Sequence, residues 1–339
     1  MPDLVTIKNL KKYFPIRKGF FNRQVGAVRA LDGVNLNILA GETLGLVGES
    51  GCGKSTLGRV MLRLLNATDG EVTFDGTNLL TCDQKTMRRL RANLQLVFQN
   101  PYASLDPRMT ARQIIAEPLE IHKMAEGKEL NRRVLDLLQL VGLSTDMADR
   151  YPHEFSGGQR QRIGIARAIA LKPRLIVLDE PVSALDVSVQ AQILNLLIDL
   201  KKEFQLTYLF ISHNLDVVRY ISDRIAVMYL GKIVEVGSCQ EVYKQPLHPY
   251  TEALISAAPV PDPAFDRSKR LLLPGDLPSP SNPPPGCSFH TRCPIAQDKC
   301  RVDVPLLREL SPGHCSACHY AENLLSAPSP SLPSPPPNP

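Results

Sequence analysis

Apolar and polar positions follow two periods along the first two thirds of the chain. Val34, Leu36 and Ile38 alternate with polar neighbours, the period of a half-buried strand. Leu44–Val47, Leu94–Phe98, Leu175–Leu178, Tyr208–Ile211 and Ile225–Met228 are short continuous apolar runs that suit buried strands. Between such runs the apolar residues recur at helical spacing. Leu57, Val60, Met61, Leu64 and Leu65 form one such set, and Val189, Ile193, Leu196 and Leu200 another. Strands alternating with helices predict an α/β sheet. From about residue 101 to 155 the patterns are helical only, which predicts an inserted helical subdomain. Proline is sparse before Ala258 and dense after it. Pro274–Pro285 reads as a linker or extended arm, and the tail from Ala327 as disordered or polyproline-like.

Composition narrows the class. The 339 residues are 43% hydrophobic and 22% charged, which excludes disorder throughout, and no glycine period suggests collagen. No run of about 18 apolar residues occurs, so no transmembrane helix is expected. The N-terminus has no apolar segment followed by a cleavage site, so no secretory signal is expected either. Lys and Arg number 39 against 34 Asp and Glu, a net charge of +5. That balance fits an anionic ligand or a membrane-surface partner and does not demand nucleic acid.

The first chemical signal is Gly48-Glu49-Ser50-Gly51-Cys52-Gly53-Lys54-Ser55-Thr56, a Walker A pattern between an apolar strand and an amphipathic helix. Glycines let the backbone wrap so that its N–H groups face phosphate oxygens, and the helix start adds partial positive charge. Lys54 is positioned by the pattern to reach the β- and γ-phosphates, and the Ser55 hydroxyl to ligate Mg²⁺. Leu175–Glu180 is an apolar strand ending in two carboxylates, a Walker B pattern. Asp179 is expected in the Mg²⁺ shell and Glu180 on the attacking water. Gln99 and His213 each follow a strand, which places a polar side chain near a γ-phosphate. Ser156-Gly157-Gly158-Gln159 opens a further helix, a second anion-binding start that one nucleotide in one subunit does not obviously need.

In this order the motifs resemble the ATP-binding subunits of ABC transporters. The resemblance covers about residues 4–240, with Phe155 standing where the family usually has Leu. It implies an ABC-type P-loop cassette with a RecA-like core and a helical subdomain. It also implies a head-to-tail pair of cassettes, each ATP lying between one subunit's Walker A and the other's Ser156–Gln159 segment. Ser183–Asp186 then corresponds to the D-loop, with Asp186 acting on the partner's nucleotide, and His213 to the switch histidine. Gln99 joins the Mg²⁺ ligands. Tyr13, 35 residues before Gly48, corresponds to the adenine-stacking aromatic, with Phe14 beside it. KKYFPIRKG, VFQNPYASLDPR and SALDVSVQAQILNLL resemble the F-type ATPase of oligopeptide and dipeptide importers, and His248–Thr251 matches that branch's C-terminal extension. The implied partners are a second, D-type ATPase, two membrane permease subunits and, indirectly, a peptide-binding protein. The implied location is peripheral, on the cytoplasmic face of the inner membrane. Asn100–Pro107 is the expected coupling surface. The expected divisions are a cassette over 1–235, an extension over 236–320 and a proline-rich tail over 321–339.

Of eight cysteines, Cys287, Cys293, Cys300, Cys315 and Cys318 crowd near the end. Four thiolates within about 30 residues can hold zinc or a [4Fe–4S] cluster. The resemblance to peptide-permease ATPases implies the cluster, with Cys287, Cys293, Cys300 and Cys318 as ligands and Zn²⁺ as the alternative. A soluble ABC ATPase acting on nucleic acid or ribosomes is the rival class. One cassette and the absence of a large basic run count against it.

Overall fold

A computed structural model describes residues 2–99, 104–257, 273 and 275–325. Residues 100–103 of the expected coupling segment, Pro274 and most of the proline-rich tail lie outside them. In chain order the strands are β1 (Asp3–Lys18), β2 (Arg23–Leu39), β3 (Thr43–Val47), β4 (Asp69–Phe74), β5 (Thr77–Asn78), β6 (Leu94–Val97), β7 (Leu175–Asp179), β8 (Thr207–Ile211), β9 (Arg224–Tyr229), β10 (Lys232–Ser238), β11 (Arg308–Ser311) and β12 (His314–Ser316). The helices are α1 (Lys54–Met61), α2 (Gln84–Leu90), α3 (Ala111–Ile121), α4 (Gly127–Leu140), α5 (Gly157–Ile169), α6 (Val187–Phe204), α7 (Leu215–Ile221), α8 (Cys239–Lys244), α9 (Pro249–Ala257), α10 (Asp298–Val302) and α11 (Ala321–Leu325). The chain divides into two compact units, one of residues 1–5, 37–43 and 73–212, the other of 6–36, 44–72 and 213–339.

In the first unit, β6, β7 and β8 run parallel, with Val97 beside Leu178 and Asp179 beside Ile211. Every residue of β7 and β8 is buried. That explains their continuous apolar composition, since helices cover both faces of a parallel sheet. Residues 104–155 carry α3 and α4 and, among the described residues, no strand. Thr110 caps α3 reciprocally with Gln113, and Leu119 packs with Ala170 and Leu171. Arg112 joins this layer to the following turn through Asp149 at 2.8 Å.

In the second unit, β3 lies parallel to β9, with Val47 opposite Val227. The β9–β10 hairpin turns at Leu230-Gly231, both left-handed. β10 then pairs with β12, and β12 with β11, so the C-terminal region adds two strands to this sheet. The arm over 275–285 forms neither helix nor strand, yet Arg29 donates its amide to the Pro280 carbonyl at 2.9 Å. It is therefore tied to β2 rather than free.

Two elements differ from the sequence pattern. The helix after Walker A stops at Met61, because Arg63 takes a left-handed conformation, and Leu64 is 45% exposed. The face that α6 buries is Ile193, Leu194, Leu197 and Leu200, rotated from the spacing expected through Val189 and Leu196.

Candidate functional site: two nucleotide half-sites and a cysteine cluster

The Walker A loop lies in the second unit and its glycines are sterically required. A Cβ on Gly53, at φ 113°, would sit 2.3 Å from the Ala30 carbonyl oxygen, and one on Gly48 2.2 Å from that of Met228. The loop is thus pressed against two backbone segments and admits no side chain at either point. Lys54 is 5% exposed. Its Nζ donates to the carbonyls of Gly48 at 2.7 Å and Glu49 at 2.9 Å, so the cation folds back over its own loop. Ser55 opens α1 beside it. Burial pushes the Cys52 thiol up, against the pull of the Lys54 charge.

Tyr13 lies in β1 of the same unit. Its hydroxyl donates to Asp32 Oδ1, and burial followed by this bond pushes it up to about 12. The ring is thus held by its hydroxyl, with the Arg29 guanidinium 5.9 Å from its centroid. Phe14 is half exposed under the Lys12 ammonium. His213 is exposed, immediately before the Asn214 cap of α7.

In the first unit, β7 delivers Asp179, 1% exposed, and then Glu180 in a left-handed conformation at φ 49°. A non-glycine residue there is uncommon and costs of order 1–3 kcal/mol. It is held by its amide bond to the Ile211 carbonyl at 3.0 Å and by Ser183 Oγ donating to its carbonyl at 3.1 Å. Gln99 Nε2 donates to Glu180 Oε2 at 3.0 Å. The two residues expected around one γ-phosphate are therefore in direct contact.

Ser156 caps α5, accepting from the Gln159 amide, while Gln159 Oε1 accepts from the Ser156 amide at 2.9 Å. Gly157 and Gly158 let this start lie against the D-loop and α6. A Cβ on Gly158 would meet Val189 Cγ1 at 2.5 Å, and one on Gly157 would meet Leu185 Cδ2 at 3.3 Å. Asp186 is exposed at the cap of α6, and Val187 beside it is 82% exposed. The nearby Arg160 is not an anion ligand: it is buried and donates to the Pro152 carbonyl at 2.9 Å.

Cys287, Cys293, Cys300 and Cys318 are free thiols. Burial pushes Cys287 up, Cys293 to about 12 and Cys318 to about 11, and each of the three is raised further by the charge of others in the set. Cys315 responds instead to Glu309 and Arg224. The donor chemistry of the four suits a thiophilic metal. Among the described residues, however, no three His, Cys, Asp or Glu side chains stand at metal-ligating spacing.

Sequence reasoning missed Arg292 and Tyr250, which contact the Walker A loop from far along the chain. Arg292 grips the Glu49 carboxylate at 2.7 and 3.0 Å, and Tyr250 Oη accepts from the Glu49 amide at 2.8 Å. Only the His248–Thr251 resemblance pointed to this region.

The fold and motifs define an ABC-type ATPase. The ABC transporter family profile matches residues 31–183, and that of the oligopeptide/dipeptide transporter C-terminal region matches 234–300. The oligopeptide transport ATP-binding protein AppF of Bacillus subtilis is 55% identical over 93% of this chain and 97% of its own length. A probable peptide ABC transporter ATP-binding protein of Sinorhizobium fredii is 54% identical over 93% and 89%. A dimeric ATP-binding cassette in a post-hydrolysis state, bound to ADP and Pi, is 31% identical with a TM-score of 0.61, covering 69% of this chain and 98% of that one. CbiO1 from Clostridium perfringens, part of an ABC transporter complex, is 27% identical with a TM-score of 0.61, covering 72% and 91%. The chain belongs to the ABC transporter ATP-binding proteins of the oligopeptide/dipeptide transporter family.

Proposed function

We propose that this chain is the F-type ATPase that powers import of di- and oligopeptides from the cytoplasmic face of the inner membrane. It is paired with a D-type ATPase and two permease subunits and supplied by a peptide-binding protein. The names of its relatives and the C-terminal match support the peptide class. No helix among the described residues is long and apolar enough to cross a membrane, and this reading gives membrane attachment to the permeases.

The Gln99–Glu180 contact carries the reading of the catalytic half-site. Residues Gly48–Thr56 wrap the phosphates, Lys54 turns from its loop carbonyls to them, and Tyr13 stacks on adenine. Ser55, Asp179 and Gln99 hold Mg²⁺, which when bound neutralises phosphate charge. Glu180 orients water, and His213 faces the γ-phosphate. Ser156, Gly157, Gly158, Gln159 and Asp186 act on the nucleotide of the partner subunit. The exposed Val187 beside Asp186 suits a surface covered in that pairing. The cassette spans 1–235, with its helical subdomain about 101–155, followed by the extension over 236–320 and the tail over 321–339. Asn100–Pro107 couples to the permeases.

We also assign Cys287, Cys293, Cys300 and Cys318 to a [4Fe–4S] cluster, with Zn²⁺ as the alternative. The crowding of these cysteines within the C-terminal extension supports this set. When bound, the metal supplies a covalent staple for a segment with little core. The functional test is peptide uptake into vesicles holding the assembled transporter. ATP-dependent uptake with the wild-type chain, lost with Glu180→Gln, is the expected result.

A further inference from the structure

All three polar groups of Glu49 in the nucleotide loop are engaged. Its amide donates to Tyr250 Oη at 2.8 Å, and its carbonyl accepts from Lys54 Nζ at 2.9 Å. Its carboxylate takes two bonds from Arg292, at 2.7 and 3.0 Å. The Arg292 side chain is 6% exposed and that of Glu49 29%. Arg292 comes from a fixed support. Its amide donates to the Phe289 carbonyl at 3.0 Å, and the Phe289 ring packs 5.2 Å from Tyr229 and 5.4 Å from Tyr250.

This arrangement answers an electrostatic difficulty. A carboxylate on a loop that receives polyphosphate repels its ligand, and Lys54 is the only cation within the motif. A bidentate guanidinium cancels that charge and fixes the side chain's direction, which a single ammonium does less well. We propose that Arg292 is a positioning residue of the nucleotide site, neutralising Glu49 and holding the loop open to phosphate from the C-terminal extension. The inference rests on the reading of Gly48–Thr56 as the ATP loop.

The test is equilibrium titration of the purified full chain with a fluorescent ATP analogue and Mg²⁺. Arg292→Gln removes the charge and leaves a half-buried carboxylate unpaired in the phosphate loop, so Kd rises about tenfold. The same substitution made in a Glu49→Gln background changes Kd by less than about threefold, because the carboxylate it would leave unpaired is gone. The double variant returns to the Glu49→Gln value. In the assembled ATPase the Arg292→Gln effect falls on KM and spares kcat. Arg292→Lys keeps the charge without the fork and weakens binding by about two- to fivefold, again reversed by Glu49→Gln; it serves if Arg292→Gln does not fold. Wild-type affinity in both Arg292 variants overturns the inference. A double variant as weak as Arg292→Gln also overturns it, since that result marks a packing role. Lys54→Ala separates the two readings. Unchanged affinity there removes the ATP-loop reading itself, whereas loss in Lys54→Ala with none at Arg292 overturns the Arg292 inference alone.

Discussion

Gln99 Nε2 donates to Glu180 Oε2 at 3.0 Å, joining the segment after β6 to the end of β7. The parallel register makes this possible, because Val97 stands beside Leu178 and both strands finish on the same side. A glutamine amide in that position fixes the carboxylate's direction.

Glu180→Gln is expected to slow hydrolysis in the assembled complex by about 10²–10⁴-fold, the scale of losing a general base. ATP affinity should persist, since binding rests on the Walker A loop. Steady-state turnover combined with nucleotide titration checks both halves.

Gln99→Ala should lower kcat by about tenfold or more, a larger effect than the weakening of Mg²⁺-ATP binding, as expected for loss of a group that orients a catalytic carboxylate. An equal rise in Kd would assign Gln99 to binding instead.

Gly53→Ala should abolish nucleotide binding or unfold the loop. Its Cβ would stand 2.3 Å from a backbone oxygen, at a φ of 113° that strains any other residue. The cost is at least about 1–3 kcal/mol. Thermal unfolding and nucleotide titration of the variant report it.

The cysteine assignment predicts brown protein after anaerobic purification, with about four iron and four sulfide per chain. Cys318→Ser should bleach it, Cys315→Ser should not, and ATP should still bind to both. A colourless protein with one zinc per chain would favour the alternative. Loss of colour in Cys315→Ser alone would move the fourth ligand.

The ATP chemistry is legible in the sequence because its parts are contiguous. A phosphate loop, a strand ending in two carboxylates and a Ser-Gly-Gly helix start each need neighbouring residues, so spacing alone reveals them. The parallel strands are legible because burial on both faces leaves unbroken apolar runs. Other features depend on distance. Glu49 meets Arg292 across 243 positions and Tyr250 across 201, and no local pattern pairs either residue with the loop. The end of α1 escaped because Arg63 turns left-handed within an apolar series that continues through Leu64 and Leu65. The full length of β1 and β2 escaped because many of their positions are exposed or half-buried, and only the end of β2, through Val34, Leu36 and Ile38, was read as a strand. The cysteines were visible as a cluster, but whether their thiols converge is a matter of how the extension folds.

The central claim is that this chain hydrolyses ATP only at a site completed by a second cassette. ATP turnover per chain, measured against protein concentration for this subunit alone and then with its complete transporter, tests it directly. The account predicts slow turnover that rises with concentration for the isolated subunit, and fast, concentration-independent turnover in the complex that Glu180→Gln suppresses. Robust hydrolysis by the isolated chain at every concentration, unaffected by Glu180→Gln, would contradict it.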